Sequence, residues 1–211
     1  MQISDHRLSI DGGVIAARVW CPDGAAGAPV ALFHDSLGSV ELWRDLPQVL
    51  ARESGRVVAA WDRAGFGLSA PRNDTLPLDF IAREAGNAVR VADALGLDRF
   101  VAMGHSVGGG MSVETAAQYP DRVAGLITIA AQAFVEDRTM RGVEHARDLY
   151  ADPEALARVA RYHGDKARRV VDAWTETWLH PDFAGWTLDG ALTRVRAPAL
   201  ILHGENDEYG S

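Results

Sequence analysis

One serine has the surroundings of a nucleophile. Gly104-His105-Ser106-Val107-Gly108 directly follows the strand-like run 99–103 and directly precedes a helical pattern over 107–119. A hydroxyl at a strand-to-helix turn sits in a strained backbone conformation that lifts it out of the sheet, and small residues two positions to either side let the chains pack around it. The helix behind it aims its positive N-terminal end at the same spot. The amide of Val107 can then face an oxygen on which negative charge develops. That combination points to attack on a carbonyl carbon through a covalent intermediate. The plainer alternative, a glycine-rich turn with an incidental serine, does not account for the flanking strand and helix.

The elements that must position this turn follow from the hydrophobic pattern. Residues 2–10 and 13–20 alternate like hairpin strands around Asp11-Gly12-Gly13, where glycine supplies the positive φ of a tight turn. The runs 29–34, 56–61, 125–130 and 198–203 are short and continuously apolar, as strands buried on both faces are. Between them the spacing predicts a helix starting near Asp45, with Leu46, Val49 and Leu50 on one face and Pro47 in its first turn. A second helix over 78–96 carries Ile81, Ala85, Val89, Ala92 and Leu95, and Gly96 ends it. Strands alternating with helices imply a mostly parallel sheet covered on both faces. Residues 132–187 break the alternation with three helical segments. There Asp152-Pro153 reads as an N-cap and first helical residue, Gly164 as a stop and Asp165 as the next cap. Val170, Val171, Trp174 and Trp178 form an apolar stripe that either lines a pocket or packs on the core.

Three further loops each leave the end of a strand run: Phe33-His34-Asp35-Ser36-Leu37-Gly38, Trp61-Asp62-Arg63-Ala64-Gly65-Phe66-Gly67-Leu68-Ser69, and His203-Gly204-Glu205-Asn206-Asp207-Glu208. With the elbow at Ser106 they resemble the α/β-hydrolase family over nearly the whole chain. The resemblance implies an α/β-hydrolase fold with a core of residues 1–131 and 188–211 and a helical cap of residues 132–187. It also implies that the amide of Ser36 completes the oxyanion hole with that of Val107. Asp35 stands where the family commonly has glycine. In the last loop the resemblance makes Asp207, three residues after the glycine, the acid that holds a histidine in the correct tautomer. Gly65 to Ala70 also matches a dinucleotide-binding glycine pattern, but Pro71, Arg72, Asn73 and Asp74 follow in place of the helix that a pyrophosphate needs.

The resemblance implies the order serine, acid, histidine, which puts the base after Asp207, and the four residues that follow contain no histidine. Of the seven histidines, His105 adjoins the nucleophile, His34 and His203 end strands, His6 lies in the hairpin, and His145, His163 and His180 fall in the cap as solvated or helix-ending residues. The sequence-based expectation is therefore a hydrolase truncated before its C-terminal strand and helix, with little turnover and a tendency to aggregate. The favoured activity is hydrolysis of a small, largely apolar carboxylic ester, with Trp174 and Trp178 in the pocket. The alternatives are a carbon–carbon bond hydrolase of vinylogous diketones and a small-molecule binding protein without turnover.

The composition narrows the partners. A chain of 211 residues with 47% hydrophobic and 24% charged residues is long enough to bury a core. A net charge of −8 argues against nucleic acid and anionic membranes, which demand clustered lysine and arginine. No apolar run approaches the roughly 18 residues that cross a bilayer, and the first residues lack a signal-peptide pattern, so a cytoplasmic location is expected. The single cysteine, Cys21, has no partner for a disulfide or metal site. The chemistry requires no metal or organic cofactor, only a small-molecule substrate.

Overall fold

The computed structural model describes residues 1–72 and 74–210; Asn73 and Ser211 lie outside the described residues. Its strands are β1 (Gln2–Ile10), β2 (Gly13–Cys21), β3 (Val30–Phe33), β4 (Val58–Trp61), β5 (Phe100–His105), β6 (Val123–Ile129) and β7 (Ala199–Leu202). Its helices are α1 (Leu46–Ser54), α2 (Phe80–Ala94), α3 (Val107–Gln118), α4 (Asp137–Leu149), α5 (Pro153–His163), α6 (Ala167–Trp178) and the short α7 (Asp189–Leu192). The strands form one sheet in the order β1-β2-β4-β3-β5-β6-β7. The β1–β2 hairpin and the β2–β4 pair are antiparallel, and every other pairing is parallel.

The central strands are buried on both sides, which is why they are apolar without alternation. The pleat sends Ala31, Phe33, Ala59 and Trp61 to one face, against Ile81 and Ala88 of α2 and Met111 of α3. Val30, Leu32, Val58 and Ala60 point to the other face, where Ala51 and Leu50 of α1 cover them. A smaller cluster joins Phe66 to Val159, Ala167, Val170 and Val171, so the helices between β6 and β7 sit on a loop of the sheet layer.

Three expectations about elements need correction. Helix α1 buries Pro47 and Ala51, whereas Leu46 and Val49 are 37% and 39% exposed. The face that meets the sheet is the one with the small residue, because Ala51 lets the helix approach closely. Asp165 does not cap α6; it falls in a 3₁₀ turn, and Lys166 takes the cap position without a side-chain bond. Strand β7, an apolar run of the buried kind, is exposed along its whole length, with Ile201 63% exposed. It pairs only with β6, so nothing covers its outer side among the described residues. By contrast, Asp152 caps α5 as its sequence suggests, accepting from the amides of Glu154 and Ala155 ahead of Pro153. Among the described residues no helix is long and apolar enough to cross a membrane, and no cluster of three or more potential ligands could hold a metal ion.

Candidate active site

Strands β3 and β5 are parallel neighbours with Phe33 opposite Gly104, so the loops that leave their C-terminal ends emerge side by side. Ser106 lies on the second of these loops with φ 53° and ψ −126°, a left-handed conformation that L-residues avoid. The amide of Ser106 donates to Ile129 O at 2.9 Å and its carbonyl accepts from Gly109 at 2.8 Å, so the turn is held from both sides. The flanking glycines are obligatory. A Cβ on Gly104 would run into the carbonyl of Gly108, and a Cβ on Gly108 would run into the carbonyl of Phe33. Val107 opens α3 and therefore carries one of the amides that a helix leaves without an internal acceptor.

The loop after β3 brings Ser36 alongside Ser106, both lining one cavity. Leu37 N donates to Asp35 Oδ1 at 2.9 Å and Gly38 N to the Asp35 carbonyl at 3.2 Å, while the Ser36 amide has no acceptor among the described residues. Its direction is nevertheless fixed. The Asp35 carbonyl belongs to the same planar peptide as the Ser36 N–H, and in a trans peptide the two point opposite ways. That carbonyl accepts from His34 Nδ1 at 2.8 Å and from Arg63 Nη2 at 2.9 Å as well as from Gly38. His34 Nε2 in turn accepts from the backbone amide of Arg63 at 3.1 Å, which sets the Nδ1–H tautomer. Burial pushes the His34 imidazole well below the usual histidine range, in keeping with a neutral ring. Arg63 is itself buried, with its guanidinium 4.1 Å from the centre of the Phe66 ring, and burial lowers it to about 10, so it stays charged at neutral pH. Asp35 is not among the positive-φ residues, so the position does not require glycine.

A cavity of about 310 Å³ opens over Ser106 and brings Ser36, Asp207, Trp174 and Trp178 to its walls. Val107 lies just behind, lining a second, smaller space with Ser36 and both tryptophans. Helix α4 contributes Val143, Ala146 and Leu149 to the main cavity. Trp174 is half-buried, with its ring 5.9 Å from that of Tyr209. Trp178 is 3% exposed and packs on Phe183 and Trp186 at 5.2 and 5.6 Å, so it belongs to the core and to the cavity wall at once.

Asp207 reaches the cavity because its loop is docked on α4. Arg138 Nη1 donates to the Asp207 carbonyl at 3.0 Å and Thr139 Oγ1 to that of Tyr209. Asp207 Oδ1 accepts from the amides of Tyr209 at 2.8 Å and Gly210 at 3.2 Å, leaving Oδ2 without a partner among the described residues. No described histidine is hydrogen-bonded to it. Glu205 and Glu208 point to solvent.

Two histidines do more than their sequence positions suggest. His105 Nδ1 lies 3.2 Å from Asp35 Oδ2. His163, expected to be solvated or merely to end a helix, is 2% exposed. Its Nδ1 accepts from Gly67 N and its Nε2 donates to Leu37 O, both at 2.9 Å, tying α5 to the loops after β4 and β3. The glycine pattern of residues 65–70 is this docking turn. Asp62 closes it by accepting from Val40 N and Leu68 N, each at 2.7 Å, and no helix follows within it to hold a pyrophosphate.

Residues 28–171 match the family model described as alpha/beta hydrolase fold. The human protein named serine hydrolase BPHL is 34% identical over 156 residues, covering 71% of this chain and 53% of its own length. A putative carbamate hydrolase RutD of Azorhizobium caulinodans is 32% identical over 202 residues, covering 86% of this chain and 74% of the relative. Haloalkane dehalogenase 2 of Mycobacterium tuberculosis is 34% identical over 140 residues, covering 61% and 47%. The chain spans about half the length of BPHL. Among solved structures, a bacterial membrane phospholipase A superposes with a TM-score of 0.74 at 20% identity over 99% of this chain and 72% of that one. The enol-lactonase of Burkholderia xenovorans does so with a TM-score of 0.70 at 18% identity, over 95% and 81%. The sheet order, the strained turn at Ser106 and these matches agree: the chain belongs to the α/β-hydrolase fold family.

Proposed function

We propose that this chain carries the nucleophile and oxyanion hole of a serine hydrolase that cleaves a small, largely apolar carboxylic ester. The observation that carries the reading is Ser106 at φ 53° beneath a cavity that Ser36 also lines, with the Ser36 amide left without an acceptor among the described residues. Ser106 Oγ attacks the ester carbonyl carbon and gives up its proton to a general base, which Asp207 is placed to orient but which no described histidine supplies at that carboxylate. The carbonyl electron pair moves onto oxygen, where the amides of Ser36 and Val107 hold it, each worth roughly 3 to 4 kcal/mol in the transition state. Collapse expels the alcohol with the proton from the base, leaving acyl-Ser106, and water releases the acid by the reverse sequence. Residues 132–187 act as the cap. At about 310 Å³ the cavity lies at the small end of ligand sites, and the side chains α4 and α6 bring to it are mostly apolar.

A second reading, ligand binding without turnover, is favoured by one observation: no described histidine stands against Asp207. The two separate on a fluorophosphonate probe. A serine hydrolase labels at Ser106, and the Ser106→Ala variant does not. A binder leaves both unlabelled, and that result would end the hydrolase reading for this chain.

A further inference from the structure

Asp35 and His105 are the neighbours in sequence of Ser36 and Ser106, and their side chains meet between the two loops. Beyond Phe33 and Gly104 the β3–β5 ladder ends. From there the two loops run on without backbone hydrogen bonds to each other among the described residues, and the Asp35–His105 contact at 3.2 Å crosses the gap. The other carboxylate oxygen, Oδ1, accepts from Leu37 N, so Asp35 holds its own loop while it reaches the opposite one. Burial works to raise the Asp35 carboxyl, but the hydrogen bond of His105, together with neighbouring charge and the Leu37 amide, outweighs it and holds it below the ordinary range. The same bond raises His105 above its ordinary value.

We infer that Asp35 and His105 form a brace that fixes the spacing of the two oxyanion-hole amides, making both of them positioning residues for chemistry at Ser106. The inference rests on the proposed role of Ser106. It accounts for an aspartate at a position where glycine is common. Stability does not account for it, because the side chains are 35% and 41% exposed, and ion pairs of that kind contribute little to folding. Loss of the brace therefore acts on the site and leaves the fold alone. A shift of about 1 Å in a catalytic group can cost up to roughly 100-fold, so a partial shift of the Ser36 or Val107 amide is expected to cost about tenfold.

The test reads binding of phenylboronic acid to the 211-residue chain by calorimetry, with ¹¹B resonance following the boron from trigonal to tetrahedral. In the adduct a bond forms from Ser106 Oγ to boron, the hydroxyl proton leaves to solvent, and a boron oxygen takes the oxyanion position. Asp35→Ala and His105→Ala should each weaken binding about tenfold, His105→Ala with unchanged melting temperature, and the double variant should be no weaker than Asp35→Ala, which also gives up the Leu37 bond. Asp35→Asn should recover most of the affinity at pH 8.5, where its amide donates to a neutral His105 Nδ1. That recovery should disappear as the pH falls through 6.5, the ordinary histidine value, because protonated His105 offers no acceptor. The other charged or ionisable groups acting on the pair are Arg63, His34, Asp207 and Tyr150, with His145 and Tyr209 lining the same cavity, and all are shared by the variants. The imidazole resonances of His105 should titrate above 6.5 in the unsubstituted chain and lower in Asp35→Asn. Unchanged affinity in Asp35→Ala, or losses that multiply in the double variant, would overturn the brace alone. Absence of a Ser106-dependent tetrahedral boron in the unsubstituted chain would overturn the nucleophile, and the brace's role with it.

Discussion

Replacing His163 by phenylalanine removes a buried latch while keeping the ring. His163 joins α5 to two loops at once, through Gly67 N and Leu37 O. Phenylalanine retains the edge contact with Phe66, whose ring centre is 5.9 Å away, but can neither accept nor donate. Gly67 is buried, so its amide pays most of the roughly 1–3 kcal/mol cost of an unsatisfied buried group; Leu37 is half-buried, so its carbonyl is partly rehydrated and pays less. The sum is about 2–4 kcal/mol, equivalent to a fall in melting temperature of roughly 5–15 °C for a chain of this size. Acid should do the same to the unsubstituted protein. Burial lowers the His163 imidazole, so the folded state prefers the neutral ring whose Nδ1 accepts from Gly67. A depressed folded value means that the contribution is complete above the unfolded value near 6.5 and is lost as the pH falls through the folded value. Urea midpoints measured from pH 8 to pH 5 should therefore show a gap between wild type and His163→Phe that narrows as the pH drops. A gap under 0.5 kcal/mol at pH 8, or one that stays constant with pH, refutes the latch.

Two other substitutions test separate parts of the structure. Gly108→Ala places a methyl group against the Phe33 carbonyl, so the elbow must open; we expect a loss of about 2–4 kcal/mol in urea unfolding together with loss of probe labelling at Ser106. Ile201→Lys puts a charge in the middle of the exposed strand β7 and should reduce self-association of the 211-residue chain in light scattering, without lowering the urea midpoint.

The parts of the fold that were readable in the sequence are those in which cause and effect lie close along the chain. The elbow is one. A strand run, glycines at 104 and 108 and a helical pattern are enough to place Ser106, because the same dozen residues create the strain and make room for it. The Asp152-Pro153 cap is another, closed by amides two and three residues away. Helix α1 misled for the opposite reason. Leucine and valine spacing identifies an apolar face, but the face that packs closest is chosen by the sheet beneath, which took Ala51. Strand β7 reads as buried because its residues suit burial, and no property of the run records whether a neighbour lies on its outer side.

The histidines show why function was harder to read than fold. His163 finds its partners 96 and 126 residues away along the chain, and His105 finds Asp35 at a separation of 70. Such pairs have no local signature. They arise because parallel crossovers deliver the C-terminal ends of β3, β4, β5, β6 and β7 to one edge of the sheet, where loops distant in sequence converge. One clue was available. Asp35 brings a charged side chain to a place where a glycine is usual, and that side chain finds a partner across the gap between two loops. The answering group is His105, set beside Ser106 by the strand next door. A departure from a family pattern is in this way informative about geometry: the position tolerates a side chain because its φ is ordinary, and it keeps this one because both carboxylate oxygens are engaged.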